Sequence, residues 1–251
     1  MKTANWMSHL EFDWESPIWS HLLRKLAGDH TLIRYDQRGM GLSDWDVSDI
    51  SFKARVSDLE TVVKAAGVQR FPLLGMSQGC AVSIAYAVRH PDRVSHLILC
   101  GGFALGGLRR ARDDAERENW FAMKTLMRSG WGQENPAFRQ IFTSQLIPGG
   151  SNEQIDWLNE LQRRTTSPEC AARIFQSNAE TDVTELMPQV TPTLVMHARG
   201  DVAIPLQFGQ QIAAGIPGAQ FVVLQGQNHM FLEGDPATDR FFEELKIFLS
   251  K

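Results

Sequence analysis

The feature that most constrains the fold is an alternation of segment types. Short apolar runs are separated by longer stretches whose apolar residues recur at helical spacing. Strands are predicted at Lys2–Asn5, His30–Asp36, Phe71–Met76, Val94–Cys100, Pro192–His197 and Ala219–Leu224. Helices are predicted between and after them, at Ser16–Ala27, Ser51–Ala66, Gln78–Arg89, Leu206–Ala214 and Pro236–Leu249. Gly67 and Gly215 follow two of these helices as C-terminal caps. Apolar strands alternating with amphipathic helices specify an α/β fold with a mostly parallel sheet flanked by helices.

One region breaks the alternation. From 103 to 187 the chain is rich in Arg, Glu, Trp, Phe and Met, and helical periodicity marks Asn119–Arg128, Pro136–Gln145 and Asn152–Arg164. A helical layer inserted between two strands of one sheet lies most economically over the sheet's C-terminal edge, where open α/β sheets bind ligands. The expected division is a first core part at 1–102, a helical cap at 103–187 and a second core part at 188–251.

Composition adds exclusions. With 43% hydrophobic and 22% charged residues, the chain has the balance of an ordinary globular protein. A net charge of −4 provides no basic face for nucleic acid. No apolar run has the length of a membrane span, and the N-terminus lacks a signal-peptide pattern. Cys80, Cys100 and Cys170 are odd in number and far apart, without disulfide-framework or metal-ligand spacing. The expectation is a cytoplasmic protein with reduced thiols, acting on a small molecule without metal or organic cofactor.

The segment "FPLLGMSQGCAVSIAYAVRHP" at 71–91 carries the first chemical signal. Gly75-Met76-Ser77-Gln78-Gly79 fits G-x-S-x-G, directly after a predicted strand and at the opening of a predicted helix. Such a turn lifts the serine above the sheet edge, forces it into a strained conformation and demands small neighbours. The N–H groups that follow, beginning with Gln78, point from a helix N-terminus toward the serine oxygen. The bland alternative is a glycine-rich turn holding an innocent serine.

A serine nucleophile needs a base. Of His9, His21, His30, His90, His96, His197 and His229, the last lies just beyond the final predicted strand, in "LQGQNHMFLEGDP", at the edge toward which Ser77 points. His30, His90 and His96 fall at the opposite end of the sheet, and His21 falls within a helix. The base in turn needs an acid to fix its tautomer. Asp201 follows the strand ending at His197 and reaches the same edge, although a turn beside Gly200 explains it equally well by itself. Asp156 and Asp182 lie in the cap and are poorer candidates.

With these residues in place, the sequence resembles the α/β-hydrolase family over nearly its whole length. The order Ser77, Asp201, His229 matches that family's nucleophile–acid–base order, and "YDQRGMGLSD" (35–44) and "RHPDRVSHLIL" (89–99) match family segments. The resemblance implies a structural role for Asp36 and Arg38 in the turn beside the site. It also implies that Ala4-Asn5 stands where His-Gly is usual, so that Trp6 inherits the second oxyanion N–H beside Gln78. A related Asn-Trp form is similar to that of hydrolase modules attached to bacterial regulatory or cyclase domains. The resemblance further implies that the two antiparallel strands that usually come first are lacking. The strand at 30–36 then becomes an open edge, and a homodimer or larger assembly, paired through Thr31 to Asp36, is expected.

The expected activity is cleavage of a carboxylic ester by Ser77, His229 and Asp201 through an acyl-enzyme. Lactone, thioester or carbon–carbon hydrolysis with the same residues, or a low-turnover ligand-sensing module, are the alternatives. Trp120, Phe121, Met123, Met127 and Trp131 are candidates for an apolar acyl pocket, with packing among cap helices as the competing role.

Overall fold

The computed structural model describes residues 1–190 and 192–251. Its centre is a parallel sheet of four strands, β1 (Phe71–Met76), β2 (Val94–Cys100), β3 (Thr193–Ala198) and β4 (Gln220–Leu224), in spatial order β1-β2-β3-β4. The chain reaches β1 through helices α1 (Leu10–Trp14), α2 (Ser20–Asp29) and α3 (Phe52–Ala65). Helix α4 (Gly79–Arg89) connects β1 to β2. Five helices then precede β3: α5 (Gly107–Arg110), α6 (Asp114–Gly130), α7 (Pro136–Leu146), α8 (Asn152–Thr165) and α9 (Pro168–Ala179). A 3₁₀ turn at Thr184–Gln189 leads back into the sheet, α10 (Leu206–Gly215) links β3 to β4, and α11 (Pro236–Leu249) follows β4. No helix among the described residues is long and apolar enough to cross a membrane.

Strand residues alternate between two cores because successive side chains point to opposite faces. Leu74, Met76, Ile98, Leu194 and Met196 pack with α2 and α11 on one face. Leu73, Leu97, Leu99 and Val195 pack with α3, α4 and α10 on the other. Both faces are therefore covered, which is why these strands read as continuous apolar runs. The first core also contains Met127, Trp131, Phe142 and Leu158, so the inserted helices share hydrophobic contacts with the sheet.

Three sequence expectations need correction. Neither 2–5 nor 30–36 forms a regular strand. The N-terminal segment is extended beside β1, with a single parallel bridge between Lys2 and Leu74. Thr3 N–H donates to Leu74 O and Leu74 N–H to Met1 O, each at 2.9 Å, while Lys2 N–H reaches Ile33 O at 2.9 Å. A ladder needs successive bonds along both partners. Here the chain leaves after Thr3 to pass over the end of β1, and its backbone bond to residues 31–36 is that from Lys2 N–H to Ile33 O. Helix α2 begins at Ser20 rather than Ser16, because the Ser16 hydroxyl accepts from the N–H groups of Ile18 and Trp19 in a turn that precedes the helix.

Candidate active site

The turn between β1 and α4 has the geometry that the glycine pattern requires. Ser77 has a φ of 52°, and no other described non-glycine residue has a positive φ. Its N–H donates to Cys100 O at the end of β2, at 2.9 Å, which pins the strained residue to the neighbouring strand. A β-carbon on Gly75 would lie 2.6 Å from Ser83 Oγ and 2.9 Å from the Cα of Cys80. One on Gly79 would lie 2.8 Å from Ala4 O. Both glycines are thus enforced by close approach of the helix and the N-terminal segment to the turn.

Asp201 and His229 stand on the loops that follow β3 and β4. These loops are tied together by two backbone bonds, Arg199 N–H to Leu224 O at 2.9 Å and Gly200 N–H to Gly226 O at 2.8 Å. Asp201 is 4% exposed. Its Oδ1 accepts from Ile204 N–H at 2.9 Å, and its Oδ2 lies 2.6 Å from His229 Nδ1. His229 N–H donates to Leu146 O at the end of α7, at 2.9 Å, so the cap also holds this loop. Burial pulls the His229 pKa down, but the charge and hydrogen bond of Asp201 outweigh it and the pKa is raised. The ring is thereby oriented with Nδ1–H toward the carboxylate and Nε2 away from it.

Ser77 and His229 line one cavity of about 320 Å³. Trp6 and Gln78, the two expected oxyanion donors, line the same space. The Ser77 hydroxyl makes no hydrogen bond to His229; such contacts characteristically tighten when substrate binds. The segment carrying Trp6 is clamped to the turn, since Gln78 Nε2 donates to Ala4 O at 3.3 Å. Lys2 Nζ also donates to Asn5 Oδ1.

The cap residues divide by helical phase. Trp120, Met123 and Met127 share one face of α6 and line the cavity. Phe121 lies about 100° further round the helix and is 52% exposed, so it belongs to the outer surface. Trp131 caps the C-terminal end of α6 and is 1% exposed. It packs 5.2 Å from the Trp6 ring and donates its indole N–H to Thr166 O at 3.2 Å, as a core residue rather than a pocket wall.

Sequence reasoning missed three contributors. His197 is fully buried, and its Nε2 lies 2.6 Å from Ile204 O and 3.6 Å from Asp201 Oδ2. A carbonyl can only accept, so Nε2 carries the proton, and burial lowers the ring's pKa and keeps it neutral. His197 thus braces the Asp201 loop. Arg55, on α3, donates to Gln78 Oε1 at 2.6 Å and to Asn178 Oδ1 and Ser177 Oγ on α9. Arg110, at the end of α5, is part of the cavity wall. The sequence signal for His197, a histidine closing an apolar strand four residues before Asp201, was present; those for the two arginines depend on tertiary contacts. Among the described residues, no group of three His, Cys, Asp or Glu is placed to share a metal ion.

Comparison with known proteins agrees with this architecture. A sequence model of the alpha/beta hydrolase fold matches residues 9–236. A putative carbamate hydrolase, RutD, from Pseudomonas savastanoi pv. phaseolicola is 26% identical over 234 residues, covering 88% of this chain and 85% of that protein. Pyrrolizixenacetamide deacetylase from Xenorhabdus hominickii is 25% identical over 237 residues, covering 92% and 85%. Among solved structures, an esterase from Exiguobacterium antarcticum superposes with a TM-score of 0.79 over 100% of this chain and 91% of its own, at 21% identity, a likeness of fold. The chain belongs to the α/β-hydrolase family.

Proposed function

We propose that this protein is a serine hydrolase of carboxylic esters. The observation that carries the reading is the buried 2.6 Å contact between His229 Nδ1 and Asp201 Oδ2, with His229 and the strained Ser77 on the wall of one cavity. With Nδ1–H given to Asp201, Nε2 is free to take the Ser77 proton as Oγ attacks the ester carbonyl. The oxyanion that forms is held by the N–H groups of Gln78 and Trp6, each such donor contributing about 2.7–4 kcal/mol in comparable sites. The imidazolium then protonates the departing alkoxide, leaving Ser77 acylated. Water, deprotonated by His229, attacks the acyl carbon and releases the acid and the free serine.

The named activities of the relatives, carbamate hydrolysis and deacetylation, also act on carbonyl carbon, which supports this class of chemistry. A fluorophosphonate probe and a panel of p-nitrophenyl esters of graded acyl length test the reading. An aryl carbamate, a lactone, a thioester and an N-acetyl amide extend the panel. The expected outcome is labelling that Ser77→Ala abolishes, with the highest kcat/KM on an ester. Wild-type protein that neither labels nor turns over any member would overturn it; faster cleavage of another class would reassign the substrate.

A further inference from the structure

The cavity that holds Ser77 and His229 is walled mainly by apolar cap residues, with one exception of chemical consequence. Among its described lining residues there is no carboxylate, and Arg110 is the arginine or lysine that reaches it. No described carboxylate lies within ion-pair distance of this guanidinium. The acid whose charge acts on it, Glu116, is engaged by Arg112 at 2.6 Å. Arg110 nonetheless has a fixed position. Its guanidinium lies 3.9 Å from the ring centroid of Phe208 on α10 and 5.8 Å from that of Phe103. Its Nη1 donates to Leu105 O at 3.0 Å.

This arrangement leaves donors unused. A guanidinium carries five N–H donors in one plane, and one bond is made here to protein. With its carbon over the Phe208 ring and only Nη1 bonded to protein, the guanidinium keeps N–H donors of the kind that pair with a carboxylate. Burial outweighs the charge of Glu116 and lowers the pKa of Arg110 from its ordinary value, as expected for a partly desolvated cation outside any ion pair. Asn119 and Asn178 line the same space and supply neutral amide donors and acceptors.

We infer that Arg110 forms an anion subsite of the cavity, and that the protein selects esters bearing a second, ionised acid group, the half-esters of short dicarboxylic acids. The scissile ester lies at Ser77, the free carboxylate pairs with the Arg110 guanidinium, and the chain between them lies along Trp120 and Met123. A cavity of about 320 Å³ suits a short connecting chain. The substrate class rests on the hydrolase reading, whereas the subsite itself is measurable without turnover.

The test uses the full chain carrying Ser77→Ala, which binds esters without consuming them. Calorimetry compares monomethyl succinate with dimethyl succinate in low-salt buffer. The anionic half-ester is expected to bind at least about tenfold more tightly, as charge-assisted pairing in a partly desolvated site requires. Its advantage shrinks in 0.5 M NaCl and falls below about twofold when Arg110→Gln is added. Arg110→Lys, which keeps the charge, retains part of it, so that a folding defect in the glutamine variant does not decide the result. Equal affinities, no detectable binding of the half-ester, or a salt-insensitive advantage that survives Arg110→Gln each overturn the subsite. Probe labelling and ester turnover by the wild type are read separately, so the two proposals fail independently.

Discussion

Replacing Asp201 by asparagine tests the catalytic geometry with almost no change in volume. The carboxylate makes two short contacts, accepting from Ile204 N–H at 2.9 Å and facing His229 Nδ1 at 2.6 Å. Asparagine satisfies Ile204 with its amide oxygen, and that choice turns its NH₂ toward His229. Two donors cannot face each other at that distance, so the imidazole must move its proton to Nε2. The nitrogen meant to accept from Ser77 then carries a hydrogen. Loss of the correct tautomer is expected to lower kcat/KM by about 10³–10⁴, or roughly 4–5.5 kcal/mol in the barrier. The assay is hydrolysis of a p-nitrophenyl ester at pH 8.5, with thermal melting at the same pH as the folding control. The pH is chosen from the sign of the linkage. The raised pKa of His229 gives a stabilisation that is complete below the ordinary histidine value of 6.5 and lost as pH rises through the folded value. On the alkaline side the two proteins therefore differ little in stability through this group. A folded Asp201→Asn protein retaining activity within tenfold of wild type would refute the roles given to both residues.

The same electrostatics fix the pH profile of the wild type. The kcat/KM of an ester falls on the acid side as His229 protonates, and the midpoint lies above 6.5 because Asp201 stabilises the imidazolium; a midpoint below 6.5 contradicts the pairing. At the nucleophile, Ser77→Gly and Ser77→Ala both abolish probe labelling, but they separate in stability. Glycine adopts the φ of 52° without strain, so the glycine variant should be about 1 kcal/mol more stable than the alanine variant in denaturant unfolding, and the reverse order would remove backbone strain from the account. Gly79→Ala drives a methyl to 2.8 Å from Ala4 O and shifts the segment that carries Trp6. Labelling slows at least tenfold in a protein destabilised by about 1–3 kcal/mol, as measured by probe kinetics and thermal melting.

The parts of this molecule that were legible in sequence are those set by local pattern. The four strands of the sheet were placed to within a residue at each end because both of their faces are buried, so each reads as an uninterrupted apolar run. The turn at Ser77 was legible because close packing leaves glycine alone at Gly75 and Gly79. The segments at 2–5 and 30–36 have strand-like composition, but pairing depends on partners far away in sequence, and that pairing stops after Thr3. Helix α9 went unread although Ser167, its N-cap, and Pro168, its first residue, announce it. The split among the cap aromatics was also recoverable: Trp120, Met123 and Met127 repeat at i, i+3 and i+7, and Phe121 falls outside that stripe. Arg55 and Arg110 were hidden for a different reason. His197 sits four residues before Asp201 and could have been read, whereas the two arginines have no such neighbour, and the role of Arg55 comes from a residue 123 positions away.

Arg55 explains how the turn and the cap act as one unit. It is 2% exposed, and burial lowers its pKa to about 10. No described carboxylate lies within ion-pair distance of it; its partners are the amide oxygens of Gln78 and Asn178 and the Ser177 hydroxyl. A buried cation bonded to neutral acceptors adds little to stability, since dehydration offsets most of what those bonds return. Its effect is positional. Gln78 supplies an expected oxyanion N–H from its backbone, while its side chain is held between Arg55 and the carbonyl of Ala4, two residues before the other expected donor. Asn178, bonded to the same guanidinium, lines the cavity that holds Ser77 and His229. One guanidinium thus links α9 to the side chain of Gln78, and that side chain links to the segment that carries Trp6. The two expected halves of the oxyanion hole and one wall of the cavity share a single anchor, which keeps donor geometry coupled to the position of the cap.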